Sequence, residues 1–332
     1  MKDTAFTQPA QWKVGLILTV GVLSASTAAI FIRLALEVVE VGGVGFSLVL
    51  AASRLTLAAL FLIPAWGSFR ISQFQRGALG CSVAAGCFLA VHFASWITSL
   101  SYTSVAASTA LVTTNPVWVA MLSWLWFGEK PSLKASVGIA IALIGSLLLG
   151  LGSLDGSTTS NPLLGNFLAV AGSVAVSLYF LLGREAQRQG LGISSHVVLT
   201  YTTAALVLLP LPLIFGVGYV GYPSQVYLWI ALMAIFPQLI GHTSFNWAVR
   251  WISPTLVTLT ILAEPVGSGI LALLLFRENP GMQVIFGAAV ILVGVRSPPQ
   301  ELPQFQKPPQ IFNSHLGRLD RYPAEPLKKP KE

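Results

Sequence analysis

Residues 115–138 read NPVWVAMLSWLWFGEKPSLKASVG, and residues 264–287 read EPVGSGILALLLFRENPGMQVIFG. One constant offset of 149 positions aligns the two stretches. Asn115-Pro116 falls on Glu264-Pro265, Glu129-Lys-Pro131 on Glu278-Asn-Pro280, and Gly138 on Gly287. Working outward, the same offset sets Tyr102-Thr-Ser104 against Trp251-Ile-Ser253 and Gly145 against Gly294. Duplication at a single fixed offset is hard to assign to chance, and it decides architecture before any local signal does.

The rest of the chain shows what kind of architecture is duplicated. Of its 332 residues 54% are hydrophobic and only 9% charged, against roughly 25% charged in a soluble domain. Such a chain cannot cover a water-facing surface. Apolar runs of about 18 residues or more, each able to cross roughly 30 Å of hydrocarbon as a helix, recur along it. They predict an all-α integral membrane protein with ten transmembrane helices at 14–36, 44–66, 77–99, 102–126, 134–152, 162–183, 197–217, 225–249, 254–276 and 281–296. Ten helices divide into repeats at 14–152 and 162–296, joined by a linker at 153–161.

Five helices per repeat is an odd number, so the second copy must enter the bilayer from the opposite side. The positive-inside rule supports this. With the amino terminus (residues 1–13) cytoplasmic, sixteen Lys and Arg residues fall inside, and only Arg33 and Arg277 outside. Both termini are therefore expected in the cytoplasm, in a multi-pass protein of the cell (plasma or inner) membrane. The net charge of +7 is explained by topological anchors and a basic tail, with no call for nucleic acid.

Residues 13–29 imitate a signal peptide, but the apolar run continues through Ile32, and cleavage would leave the first repeat a helix short. The Pro-rich, basic segment 297–332 has too little apolar surface to fold alone and is expected to be a disordered cytoplasmic tail. Cys81 and Cys87, six positions apart on one helix, rise about 9 Å relative to each other, too far for a disulfide. There is no CxxC, HExxH, GxSxG or phosphate-loop motif. The sequence therefore predicts no enzyme, no cofactor and no metal.

Function in such a chain concentrates in the few polar residues at bilayer depth, where each is costly. Glu264 lies near the middle of helix nine, about 15 Å of rise from either end. An isolated ionised carboxylate there is unfavourable, which makes it a candidate proton carrier or counter-ion for a cationic cargo. The alternative is a carboxyl hydrogen-bonded between helices. Asn115 holds the equivalent place in helix four. Pro116 and Pro265 each remove a helical hydrogen bond and predict paired kinks that suit a substrate site or hinge.

His92 and Trp96 in helix three, and His242 and Asn246 in helix eight, are each spaced i, i+4 and share a helix face. Either face would suit a polar cavity wall; the competing reading of Trp96 and Trp247 is an interfacial belt. Ser26 and Ser177 align between helices one and six, and of the hydroxyls nearby only Tyr179 is a site candidate. Arg54, midway along helix two, either pairs with a carboxylate or phosphate or anchors the helix. Gly138, Gly145, Gly287 and Gly294 mark packing faces on helices five and ten, with a homodimer face as a second use.

These marks together resemble the EamA-type transporters of the drug/metabolite transporter superfamily. The marks are Asn115-Pro116, Gly128-Glu129-Lys-Pro131 and Gly138 in one copy, and Glu264-Pro265, Arg277-Glu278-Asn-Pro280 and Gly287 in the other. The resemblance covers about 14–296. It implies ten helices, an inverted repeat, a central cavity and export of small metabolites. Phosphorylated cargo, handled by one branch of that superfamily, would need clustered cations, and only Arg54 lies at depth. Neutral, zwitterionic or cationic cargo, amino acids or their relatives, is the expectation, with protons as the coupling ion. An uncoupled facilitator and a non-transporting scaffold or sensor are the alternatives.

Overall fold

The computed structural model describes residues 9–39, 43–67, 75–103, 105–151, 161–277 and 282–295. Among the described residues ten apolar helices build the fold: α1 (Gln11–Val39), α2 (Val44–Phe61), α3 (Arg76–Ser99), α4 (Ser108–Phe127), α5 (Leu133–Leu151), α6 (Pro162–Arg188), α7 (Ile193–Ile214), α8 (Ser224–Ala248), α9 (Pro254–Phe276) and α10 (Met282–Val295). Eight are long and apolar enough to cross a membrane by themselves, while α5 and α10 are the shorter apolar pair. Among the described residues there is no β-strand.

Large apolar side chains such as Leu125, Leu133, Leu163 and Phe286 lie exposed. In water such a surface would be an aggregation hazard; around a bundle of spanning helices it is the face offered to lipid. Inside, polar and aromatic residues join the aliphatic core, with Arg54, Tyr179, Tyr201 and Phe93 among the most deeply buried side chains.

The packing carries the duplication into three dimensions. The broadest contacts are α3 on α6 and α5 on α10, followed by α3 on α7, α1 on α8 and α2 on α7. Shifting by one repeat exchanges α1–α8 with α6–α3, and returns α5–α10 and α2–α7 onto themselves, as a two-fold relation demands. The glycines show its direction. A Cβ at Gly145 would lie 2.6 Å from the Ile291 nitrogen and 2.7 Å from the Gly287 carbonyl, and one at Gly294 would lie 2.6 Å from both the Ala142 nitrogen and the Gly138 carbonyl. Advancing along α5 moves backward along α10, so the two helices are antiparallel and the repeats inverted. Bare backbone is what lets them approach this closely. Gly145 and Gly294 are therefore used in packing within the chain.

Helix limits differ from the expected ones in instructive places. α6 runs on to Arg188, because Arg184, Glu185 and Gln187 are all buried and hydrogen bonds and ion pairs keep them in the helix. α2 stops at Phe61, and a single turn at Ile63–Trp66 restarts on Pro64. Lys2, Arg70, most of the linker, Glu278-Asn-Pro280, Arg296 and the tail 297–332 lie outside the described residues.

Candidate functional site

Each of the two prolines follows a two-residue turn that interrupts the regular α-helical run of its helix. The α-helical run of α4 stops at Val112 and a new one starts at Asn115. In α9 the first run ends at Ile261 and the next starts at Glu264. Pro116 and Pro265 thus sit in the first turn of a fresh helix, where the missing N–H costs nothing because those donors have no helical partner. The interruptions are paired, at Thr113-Thr114 and at Leu262-Ala263.

Each break is tied to the other repeat. The Ser26 hydroxyl lies 3.1 Å from the Glu264 carbonyl oxygen and 2.8 Å from that of Val22. The Ser177 hydroxyl lies 3.2 Å from the Asn115 carbonyl and 2.8 Å from that of Ser173. Ser268 donates back to the Ser26 carbonyl at 2.9 Å. Gly267 leaves the room for this crossing, since a Cβ there would come 2.2 Å from the Ser26 hydroxyl oxygen.

Between the breaks lies a cavity of about 50 Å³. Arg54 of α2, His92, Phe93 and Trp96 of α3, Asn115 of α4, Pro237 and His242 of α8, and Glu264 of α9 all line it. Six of the residues singled out in the sequence are thereby brought together from five helices. On this measure a water needs roughly 10–15 Å³, and small-molecule sites usually span about 300–1,000 Å³. The cavity as it stands has room for a few waters, and cargo would require it to widen.

Several polar atoms at the cavity have no protein partner among the described residues: Nε and Nη1 of Arg54, Nε1 of Trp96, Oδ1 of Asn115 and Nδ1 of His242. Buried polar atoms are nearly always satisfied, so this concentration of unmet donors and acceptors marks the place where a polar guest gains most. His92 is oriented by its Nδ1–H, which donates to the Gly172 carbonyl at 2.9 Å, and its ring stacks on Trp96 at 5.9 Å. Trp96 is 6% exposed, which removes it from any interfacial belt; Trp124 and Trp126 are exposed, as belt residues are.

Arg54 is held from two sides. Its Nη2 donates to Gln238 Oε1 at 3.0 Å, and its guanidinium lies 4.1 Å from the centre of the Phe93 ring. Gln238 reaches it from a π-helical stretch of α8, Ala234–His242, interrupted by Pro237. Such widened turns recur at functional sites because they re-aim side chains out of helical register. Tyr201 fixes the same stretch by donating to the Gln238 carbonyl at 3.1 Å.

Tyr179 and Asn246 stand behind the cavity wall. The Asn246 amide donates to the Tyr179 hydroxyl and to the His242 carbonyl at 2.9 Å, and the Tyr179 ring lies 6.1 Å from that of His242. Gln187 donates to the Asn246 carbonyl at 2.9 Å. At the far end of α4, Arg184 pairs with Glu129 at 2.5 Å. Among the described residues no cluster of His, Cys, Asp and Glu has the makings of a metal site.

A family model fits the chain twice, at residues 12–151 and again at 163–296, and its description is the EamA-like transporter family. The chain belongs to the EamA-like transporter family. It is a multi-pass integral membrane protein and a membrane transporter of the drug/metabolite type. An uncharacterized transporter of Bacillus subtilis, YyaM, is 27% identical over 253 residues, covering 74% of this chain and 82% of that protein. A protein of Streptantibioticus cattleyicolor named "Probable terminal-alkyne amino-acid exporter" is 23% identical over 79% of this chain and 87% of its own length. One solved structure superposes with a TM-score of 0.68 at 18% identity, covering 85% of this chain and 96% of that one, a likeness of fold.

Within this EamA-family chain, reasoning from sequence missed Gln238, Phe93 and Gln187. The signal for Gln238 was present: a glutamine directly after a proline inside an apolar run is a membrane-depth polar group like those that were singled out.

Proposed function

We propose that this protein is a secondary transporter that exports small metabolites, amino acids or related neutral, zwitterionic or cationic compounds, by alternating access. Protons are its coupling ion and Glu264 their carrier. It works in the cell membrane with both termini cytoplasmic, as a transporter and not an enzyme, with the solute and the bilayer as partners. A homodimer is compatible with this reading, and nucleic acid is not among its partners.

One observation carries it. A cavity lined by both repeats sits between two helix breaks, with Glu264 at one break and Asn115 at the other. Broken helices at a repeat interface expose backbone and polar groups to a site near mid-membrane, and rocking one repeat against the other opens it to each side in turn. The relative named as an amino-acid exporter supports the choice of cargo class.

The test is a two-step screen. Purified protein is first scanned by thermal shift against a metabolite panel, since a ligand of the folded state raises apparent stability. Hits are then followed in proteoliposomes with and without a pH gradient. Flux that follows the gradient supports the reading. Flux indifferent to the gradient makes the protein a facilitator, and no flux of any hit makes it a scaffold or sensor.

A further inference from the structure

We propose that Arg54 is the anchor for a carboxylate on the cargo, aimed by Gln238, and that Glu264 receives the ammonium of the same molecule. The inference rests on the transport reading above and narrows its cargo to small zwitterions that carry both groups.

The argument starts from unspent valence. Arg54 is 1% exposed, and a guanidinium carries five N–H donors. Gln238 Oε1 accepts from Nη2, while Nε and Nη1 have no partner although the side chain lines the cavity. Among the described residues no carboxylate forms an ion pair with it. The charge of Glu264 acts on Arg54 across the cavity without forming a contact pair, so a guest that brings a carboxylate into contact with the free N–H donors supplies what this buried cation lacks. A guanidinium is also the side chain best matched to carboxylate oxygens.

The surroundings select among anions. Gln238 is neutral and accepts from one donor only, so it fixes the guanidinium without satisfying it. The Phe93 face covers one side of its plane, which leaves the edges free for oxygen ligands. A phosphate would meet one cation here, and Glu264 on the same cavity would repel its second charge. A plain amine would satisfy Glu264 and leave Arg54 bare. A zwitterion satisfies both, and its opposite charges match the two side chains in sign and number.

A purely structural role, in which Arg54 only ties α2 to α8, makes a different prediction, and the experiment separates the two. Wild-type protein, Arg54→Gln, Arg54→Lys and Gln238→Glu are reconstituted. Flux of radiolabelled L-serine, L-threonine and L-leucine is measured, with the matching carboxamides as competitors. In the wild type the carboxamides, lacking the carboxylate, are expected to compete at least tenfold more weakly than the acids. Arg54→Gln is expected to abolish that preference, so that acid and carboxamide compete alike, and a structural tie would not do this.

Gln238→Glu places an anion on the guanidinium already. It is expected to weaken acid binding at least tenfold relative to carboxamide binding, and it decides the matter if the Arg54 variants fail to insert. Carboxamides that compete as well as acids in the wild type would overturn the anchor while leaving transport standing. So would an acid preference surviving in Arg54→Gln, or equal effects of Gln238→Glu on both probes. A wild-type protein that moves none of the acids contradicts the amino-acid reading itself, and the anchor with it.

Discussion

The hydroxyl of Ser26 in α1 lies 3.1 Å from the main-chain carbonyl of Glu264 in α9, and the contact is repeated in the other half between Ser177 and Asn115 at 3.2 Å. The first helix of each repeat therefore steadies the interruption in the fourth helix of the other repeat through one serine. Each serine also reaches a carbonyl of its own helix, so its single proton is shared. Ser26→Ala and Ser177→Ala should each lower stability by about 1 kcal/mol, the usual net worth of one hydrogen bond. Thermal unfolding in detergent measures this, and flux should fall in both variants. Unchanged flux in both would show that the breaks keep their shape without these contacts.

The crossing of α5 and α10 depends on absent side chains. Gly145→Ala and Gly294→Ala would each press a methyl to 2.6 Å from backbone atoms of the opposite helix, and backbone cannot turn aside. Each should cost roughly 1–3 kcal/mol, the range for overpacking. Gly80→Ala is the control, because nothing lies within 4 Å of its Cβ position; there the helix should gain up to about 1 kcal/mol. Equal melting of all three variants would remove the close crossing.

The pair between Arg184 and Glu129, 2.5 Å apart, joins α6 to the end of α4, with Arg188 3.8 Å from the same carboxylate. Glu129→Arg and Arg184→Glu should each destabilise the protein, and the double exchange should recover part of the loss. A double-mutant cycle supplies the coupling energy. Strict additivity would mean that the pair contributes nothing beyond its separate residues.

The inverted repeat also predicts a topology. Reporter fusions at Lys130 and at Asn279, the latter outside the described residues, should report opposite compartments. Matching signals would remove the inversion and the placement of the cavity with it.

Much of this was legible in the residues before any coordinates. The 149-residue offset and the apolar runs set out ten helices, and the scarcity of polar groups at depth picked out Glu264, Asn115, His92, His242 and Arg54, which the fold gathers at one cavity. Three things were hidden for physical reasons. A proline marks an interruption but not its form, so Pro116 and Pro265 did not announce the two-residue turns that precede them. The π-helical turn that aims Gln238 is a change in hydrogen-bond register with no composition of its own. Trp96 lies near a helix end, and in a bilayer both the lipid face and the core accept an indole, so depth alone did not say which way it turned.

The most direct test of the account is the Glu264→Gln protein in proteoliposomes, assayed for flux driven by a pH gradient and for counterflow exchange. If Glu264 carries the coupling proton and receives the cargo's ammonium, the substitution keeps the fold and lowers cargo affinity, yet exchange at saturating cargo, which needs no net proton movement, persists while flux no longer responds to the gradient. A Glu264→Gln protein whose flux still follows the gradient as the wild type does would contradict the account.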